Sequence, residues 1–130
     1  MAKNAKDFEE RPWGNFTVLS ELKDQGGSED VIIKRLEVYA GKRFSYQTHK
    51  LRAEHWFCVS GDGFAIINDE KIPLQHGKSV QINIGDKHRL DNREGKVSLI
   101  VIEVITGQFD EYDNERLEDD FDRDSSWRNN

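Results

Sequence analysis

Between residues 15 and 106 the chain consists of short apolar segments, rich in Val, Ile and Phe, that are separated by Gly, Asp and Asn. Short segments at this spacing are typical of an all-β sandwich or barrel. The acidic segment from residue 107 breaks the pattern, and a short helical turn near 113–120 is compatible with it. The predicted strands are 15–20, 31–40, 43–49, 54–60, 63–68, 71–74, 79–84, 87–92 and 96–105.

The alternation in residues 31–38 decides which face of that strand points into the barrel. Lys34 shares a face with Ile32 and Leu36, because successive side chains of a strand point to opposite faces. The other face carries apolar residues but also two charged ones, so we predict that Lys34 points inward. A buried ammonium group needs a carboxylate, a metal-site anion or a ligand as its partner.

Four polar side chains share the predicted interior faces of three further strands. Gln47 and His49 lie on one face of their strand, Glu54 follows on the next strand, and His88 comes from a distant one. If these faces are interior, all four side chains point into one cavity. The sequence therefore predicts a metal site formed by Gln47, His49, Glu54 and His88.

The opposite faces of the same strands carry large apolar residues. Phe44 and Tyr46 alternate with the ligand candidates on one strand, and Phe57 and Val59 do so on the next. We expect these side chains to be exposed on the outside of the barrel. Because exposed aromatic faces usually mark a covered surface, we predict a homodimer.

The donor types indicate the kind of ion. Imidazole nitrogen and carboxylate oxygen are common ligands of divalent first-row metals, and a Gln amide adds a neutral oxygen. We expect one divalent ion, with Zn as the first candidate and Mn, Co, Ni or Fe as alternatives. A lone histidine is more often a core or surface residue than a ligand, and His55 and His76 fit that interpretation.

Composition excludes several classes of function. The net charge of −6 disfavours nucleic-acid binding, which needs a basic face. No segment reaches the ~18 apolar residues of a membrane span, and the first residues lack the apolar core of a signal peptide. Cys58 is the single cysteine and lies in an apolar run, so we expect a buried, inert thiol. A cytoplasmic protein is the expectation.

Two glycine-bounded stretches resemble the two sequence motifs of the cupin superfamily. In the first, a Gln stands where the motif has its first His, and in the second, Asn83 stands in place of Pro. The resemblance implies a cupin double-stranded β-helix, a jelly-roll barrel, as a single domain over 11–123 with flexible ends at 1–10 and 124–130. The matching positions are Gly41, Gln47, His49, Glu54 and Gly61, then Gly77, Gly85, His88 and Asn92.

The chain is similar, more narrowly, to the cupin domain of type II mannose-6-phosphate isomerases, which often follows a mannose-1-phosphate guanylyltransferase domain. The similarity implies a metal-dependent isomerase that interconverts mannose 6-phosphate and fructose 6-phosphate, or a close phosphosugar. It is carried by RPWGNF at 11–16, QTHKLRAEHWFCVSG at 47–61, GDKHRLDN at 85–92 and ERLEDDFDR at 115–123.

Isomerisation needs a base, a group that stabilises negative oxygen and an anchor for the phosphate. Lys34 is a candidate base or phosphate ligand, because burial lowers the pKa of an amine. Arg52 fits the electrophile or the anchor, since guanidinium binds oxyanions in a bidentate manner. Glu103 interrupts an apolar strand and is another candidate base if it points inward; an exposed edge position is the alternative.

Three further residues are candidates for substrate binding. Lys87 and Arg89 flank His88 and are predicted to add positive charge at the mouth of the site, although cations are commonly solvated at the surface. His55 is a substrate-binding or base candidate. A different class of function stays open: a non-catalytic sugar-binding cupin, or a metal-dependent cupin epimerase or dioxygenase acting on another small molecule.

Overall fold

The computed structural model describes residues 7–24 and 27–121, and every regular element in them is a β-strand. No helix within these residues is long and apolar enough to cross a membrane. The strands are β1 Phe8–Arg11, β2 Gly14–Leu22, β3 Asp30–Val38, β4 Tyr46–Thr48, β5 Arg52–Ser60, β6 Asp62–Ile67, β7 Glu70–Gln75, β8 Ser79–Ile82, β9 His88–Asp91, β10 Leu99–Gly107 and β11 Glu115–Glu118.

The strands form two antiparallel sheets whose inner faces enclose the core. The six-stranded sheet has the order β1-β2-β3-β10-β5-β8, and the five-stranded sheet has the order β11-β4-β9-β6-β7. Sequence neighbours β9 and β10 lie in different sheets, as do β4 and β5, so the chain winds repeatedly between the layers. This arrangement confirms the predicted all-β jelly-roll barrel.

Strict alternation in the long strands separates the interior from the outside. On β5 every second residue from Arg52 to Cys58 is buried, and β10 shows the same pattern from Leu99 to Ile105. Aromatic rings close the apolar part of the barrel: Trp13 packs edge-on against Phe44 with ring centroids 5.2 Å apart. Phe44 in turn packs against Trp56 at 5.9 Å.

Two predictions at the ends of the chain need correction. Phe8–Arg11 forms β1, which pairs with β2, so residues 8–10 are part of the sheet and not a flexible end. The helical turn near 113–120 is also wrong, because residues 115–118 form β11 and pair with β4. The short β4 would otherwise leave one row of backbone groups unpaired at the sheet edge. The predicted flexible segment 124–130 lies outside the described residues.

The outer faces also differ from the prediction. Phe44 and Tyr46 are buried, because the chain before β4 is irregular and turns Phe44 into the aromatic core. The Tyr46 hydroxyl lies 2.8 Å from a carboxylate oxygen of Asp69, in the turn between β6 and β7. Phe57 and Val59 are exposed, at 41% and 37%, as predicted. The homodimer stays a prediction.

Asn92 offers a test of the fold, because its fully buried side chain joins three segments. Its Nδ2 donates to the carbonyl oxygens of Val38 at 3.0 Å and Val97 at 2.9 Å. We expect Asn92→Ala to lower the free energy of unfolding by about 1–3 kcal/mol, because the buried Val38 carbonyl loses its donor. Exposed Asn83→Ala is the control and should change it by less than about 0.5 kcal/mol.

Urea unfolding followed by tryptophan fluorescence measures both variants against the parent protein. Equal unfolding free energies for the two variants would contradict the assigned role of Asn92 in joining these segments.

Candidate metal centre

A compact cluster of potential ligands lies inside the barrel. His49, Glu54 and His88 are all buried, and one ligand atom of each lies within 4.8 Å of those of the other two. The Nε2 of His49 is 3.2 Å from Glu54 Oε2, and the Nε2 of His88 is 3.5 Å from Glu54 Oε1. The three predicted ligands therefore converge on one point.

Both sheets contribute to this cluster. In the five-stranded sheet, Gln47 on β4 is the cross-strand partner of His88 on β9. Glu54 comes from β5 of the six-stranded sheet, where its side chain points inward. The turn before His88 is tied to His49, since the Gly85 N–H donates to the His49 carbonyl at 2.8 Å. Gly85 has a φ of +87°, which favours glycine.

Backbone carbonyls orient the two imidazole rings. His49 Nδ1 lies 2.7 Å from the Asp113 carbonyl oxygen, and His88 Nδ1 lies 2.8 Å from that of Asp86. A carbonyl oxygen only accepts hydrogen bonds, so each Nδ1 carries the proton. In the neutral form of each ring, Nε2 then presents its lone pair to the cluster, which is the arrangement of a metal-binding histidine.

The donor atoms fit a divalent first-row ion. Burial lowers the pKa of His88 to about 4, so its imidazole is neutral at pH 7 and able to bind a metal. Neither His88 Nε2 nor the buried Gln47 Oε1 has a hydrogen-bond partner in the described part of the chain. The Gln47 amide nitrogen donates to Ser45, which leaves the amide oxygen as the available donor atom.

Arg52 lies against the same ligands. Its Nε donates to Glu54 Oε2 at 3.1 Å, and its Nη2 lies 3.0 Å from His49 Nε2. Burial would raise the pKa of the Glu54 carboxyl. In the acid range, where His88 is protonated, attraction to His88 and Arg52 and the hydrogen bond with His49 outweigh burial and hold that pKa well below its usual range. Glu54 is therefore an anion at neutral pH and a strong oxygen ligand.

A second polar group adjoins the cluster on the six-stranded sheet. Lys34, Glu103 and Trp56 face inward as one cross-strand row over β3, β10 and β5. The Trp56 indole N–H donates to Glu103 Oε2 at 3.0 Å. Burial raises the pKa of Glu103 to about 8, and the Glu54 charge adds to this effect. The predicted inward position of Lys34 is confirmed. Glu103, for which an interior or an exposed edge position was open, lies in the interior.

Burial also acts on Lys34, and it lowers the pKa of that amine, although the nearby Glu103 opposes the effect. The ammonium nitrogen lies 4.5 Å from the centroid of the Phe16 ring. An aromatic face attracts a cation, and this attraction offsets part of the free energy that the ammonium group loses when it leaves water.

The structure places the three predicted substrate-binding residues away from this cluster. His55 points outward on β5, where its Nδ1 lies 3.1 Å from Gln81 Oε1. The Lys87 ammonium is 3.2 Å from an Asp69 carboxylate on an exposed loop. Arg89 is buried, but on the outer side of β9, and donates to Phe44 O and Glu118. Residues next to an inward-facing residue on a strand point outward. Arg89 directly follows His88, so its predicted position at the mouth of the site is wrong.

Asp113 is a site residue that the sequence did not reveal. Its carbonyl orients His49, and its two carboxylate oxygens accept the backbone N–H groups of Lys50 and Leu51, each at 2.8 Å. It lies in an acidic segment where many Asp and Glu residues resemble it, so no pattern in the sequence distinguishes it.

A surface pocket of about 440 Å³ lies beside Asp113, and none of the proposed ligands lines it. Its lining carries more carboxylates than cations, which disfavours an anionic ligand in it. The lining residues are Thr48, Lys50, Leu51, Asp110, Tyr112, Asp113, Asn114 and Glu115.

A buried His–Glu–His cluster in a two-sheet β-barrel defines a cupin-type protein with a site suited to a metal ion. The chain matches the family described as "Mannose-6-phosphate isomerase C-terminal" over residues 2–119, and it belongs to that family.

Curated relatives of the chain are proteins of bacterial carbohydrate biosynthesis. The alginate biosynthesis protein AlgA of Pseudomonas aeruginosa is 41% identical over 114 residues, which are 87% of this chain and 22% of the relative. The mannose-1-phosphate guanylyltransferase ManC of Salmonella typhimurium is 39% identical over 114 residues, again 87% and 22%. The xanthan biosynthesis protein XanB of Xanthomonas campestris is 39% identical, with 87% and 23% covered. The chain thus spans about a fifth of their length.

Solved structures share the fold at low sequence identity. The capsular polysaccharide assembling protein CapF of Staphylococcus aureus has a TM-score of 0.70 at 22% identity, covering 85% of this chain and 34% of CapF. Pac13, a nucleoside dehydratase from Streptomyces, has a TM-score of 0.68 at 18% identity and covers 92% of both chains. These likenesses concern the fold alone.

The ligand cluster makes a direct prediction about metal affinity. Loss of a residue that only orients a metal ligand weakens metal binding by roughly 10–100-fold. We expect His49→Ala and His88→Ala, which remove a ligand itself, each to weaken Zn²⁺ binding by more than this. Gln47→Ala should cause a smaller loss, because a neutral amide is a weaker ligand. Isothermal titration of the EDTA-treated protein with Zn²⁺ measures all three affinities.

His55→Ala is the matched control, because it removes an exposed imidazole from the outer face of the same strand that carries Glu54. It should bind Zn²⁺ as the parent does. Zn²⁺ at about 100 times its Kd should also add about 2.7 kcal/mol to the stability of the parent. Unchanged affinity in His49→Ala would show that the cluster is not the metal site.

Proposed function

We propose that this domain is a divalent-metal-dependent aldose–ketose isomerase that interconverts mannose 6-phosphate and fructose 6-phosphate. The observation that carries the proposal is the adjacency of two groups: the His49–Glu54–His88 cluster and the inward pair of Lys34 and Glu103. Membership of the family matched over residues 2–119 supports the choice of substrate.

The reaction moves one carbon-bound and one oxygen-bound proton. A base removes the proton from C2, the electrons of that bond form a C1=C2 double bond, and the carbonyl electrons move to O1, which takes up a proton. The double bond then takes up a proton at C1, while O2 loses its proton and becomes the ketone oxygen. The protein must therefore supply a base for carbon, a proton carrier for oxygen and positive charge near both oxygens.

The inward residues match these requirements. Lys34 is suited to act as the base, because burial lowers the pKa of its amine and so favours the neutral form that accepts a proton. Glu103 lies across from it on β10 and is suited to exchange a proton with O1 and O2. Arg52 provides a guanidinium for the developing negative charge.

A divalent ion held by His49, Glu54 and His88, with Gln47 as a further donor, would supply Lewis-acid attraction for the sugar oxygens. Those roles leave no part for His55, Lys87 and Arg89, whose side chains point elsewhere. Because relatives of the chain are named for alginate and xanthan biosynthesis, we place the proposed sugar phosphate in the supply of precursors for a polysaccharide.

A coupled assay tests the proposal. EDTA-treated protein receives Zn, Mn, Co, Ni or Fe singly, and fructose 6-phosphate formed from mannose 6-phosphate is measured. We expect turnover that depends on the metal, and a loss of about 10²–10⁴-fold in kcat/KM in Lys34→Met, because a positioned base contributes that much. Arg52→Ala should lower kcat/KM as well.

Lys71→Met is the matched control. Its ammonium also lies over an aromatic ring, that of Phe64 at 4.1 Å, but it pairs with exposed Glu94 on the outside of the barrel. It should leave turnover unchanged. Tight metal binding without turnover under any metal would contradict the isomerase. Saturable binding of mannose 6-phosphate by that protein would then identify a non-catalytic sugar-binding cupin.

A further inference from the structure

A segment that follows β10 covers the inward cations. We call residues 107–114 the strap. Its aromatic residue, Phe109, is half-buried, and its ring centroid lies 5.2 Å from the Lys34 ammonium nitrogen and 4.9 Å from the central carbon of the Arg52 guanidinium. Phe16 lies against Lys34 at 4.5 Å. The Lys34 ammonium is thus in contact with two aromatic rings.

The backbone of Phe109 is held by two side chains. Its N–H donates to Asp30 Oδ2 at 2.8 Å, and its carbonyl accepts from the Lys23 ammonium at 3.1 Å. Lys23 and Asp30 lie 3.6 Å apart, and Asp30 Oδ1 also accepts the Asp24 N–H. The Asp30 carboxylate is only 5% exposed, so this support is itself part of the packed structure.

Both ends of the strap are hydrogen-bonded to residues 49–51, the segment that carries His49. At its start the Gln108 N–H donates to the Leu51 carbonyl at 2.9 Å. Gly107 has a φ of +119°, and a side-chain carbon there would lie 2.7 Å from that same Leu51 oxygen, so this close approach requires glycine. Near its end, the Asp113 carbonyl orients His49. These hydrogen bonds therefore connect the strap that carries Phe109 with a proposed metal ligand.

We propose that Phe109 shields Lys34 and Arg52 from water, and that Asp30 is the residue that positions it. This proposal rests on the proposed isomerase for its chemical consequence. The proton that Lys34 removes from C2 stays on the amine until it is returned to C1. Water that reaches the amine exchanges that proton with solvent, and the Phe109 ring covers the amine on the side of the strap.

The first measurement is isomerisation in D₂O, with the deuterium at C1 of the ketose determined by NMR. Phe109→Leu keeps an apolar side chain but removes the planar ring over both cations. Protonated Lys34 carries three equivalent hydrons, of which only one comes from C2, so the sensitive quantity is the fraction of product that keeps the C2 hydrogen at C1. We expect this fraction to fall several-fold in Phe109→Leu and in Asp30→Asn, with a fall in kcat. A purely structural role would lower kcat without changing the ratio of retained to exchanged proton.

The second measurement does not depend on turnover. Reductive methylation with mass spectrometry reports the accessibility of each lysine amine, and we expect Lys34 to react several-fold faster in Phe109→Leu than in the parent protein. Zn²⁺ affinity, measured in parallel, should stay unchanged, because Phe109 is not a ligand. If the parent protein shows no turnover, the proposed function fails, and this labelling still decides whether Phe109 shields Lys34.

Phe64→Leu is the matched control, since it removes a ring that lies over Lys71 outside the barrel. It should leave Lys34 labelling and deuterium incorporation as in the parent. Lys34 labelling and deuterium incorporation that are equal in Phe109→Leu and the parent would overturn the proposal.

Discussion

Burial of the Glu54 carboxylate is the constraint on which the site depends. The side chain is 2% exposed, and an isolated buried carboxylate would cost many kcal/mol. Arg52 compensates the charge from two positions earlier on the same strand face, and His49 and His88 approach it from outside that strand. The electrostatic requirement of one anion thus brings together the groups that fit a metal ion. Burial raises the pKa of the neighbouring Glu103 carboxyl, and the Glu54 charge adds to this effect.

The two sheets share the site unequally. Glu54, Lys34 and Glu103 come from the six-stranded sheet, where strict alternation and long strands place them in adjoining rows. Gln47 and His88 form one cross-strand pair of the five-stranded sheet. The ligand set is therefore complete only when the sheets are packed face to face, so folding and site formation are one event. An ion bound at this point would stabilise the packed sheets, because the unfolded chain holds no such site.

Sequence reasoning succeeded where a single strand decides the outcome. The inward positions of Glu54 and Lys34 follow from the alternation of side chains along long strands. The same alternation along β10 places Glu103 inward. It failed for Arg89, which was assigned to the site by its nearness to His88 although adjacent strand residues point apart. It also failed at Phe44, since the irregular backbone before β4 ends the alternation on which the prediction relied.

By itself the sequence determined the β-strand pattern, the metal-type donors and their faces, because apolar alternation and donor chemistry are local properties of the chain. Only the tertiary structure decided which distant groups support the site. Asp113 orients His49, and Asp30 holds Phe109 over Lys34, through hydrogen bonds between segments far apart in sequence. Such contacts leave no periodic signal, since one carboxylate in an acidic chain resembles the next until packing removes it from water.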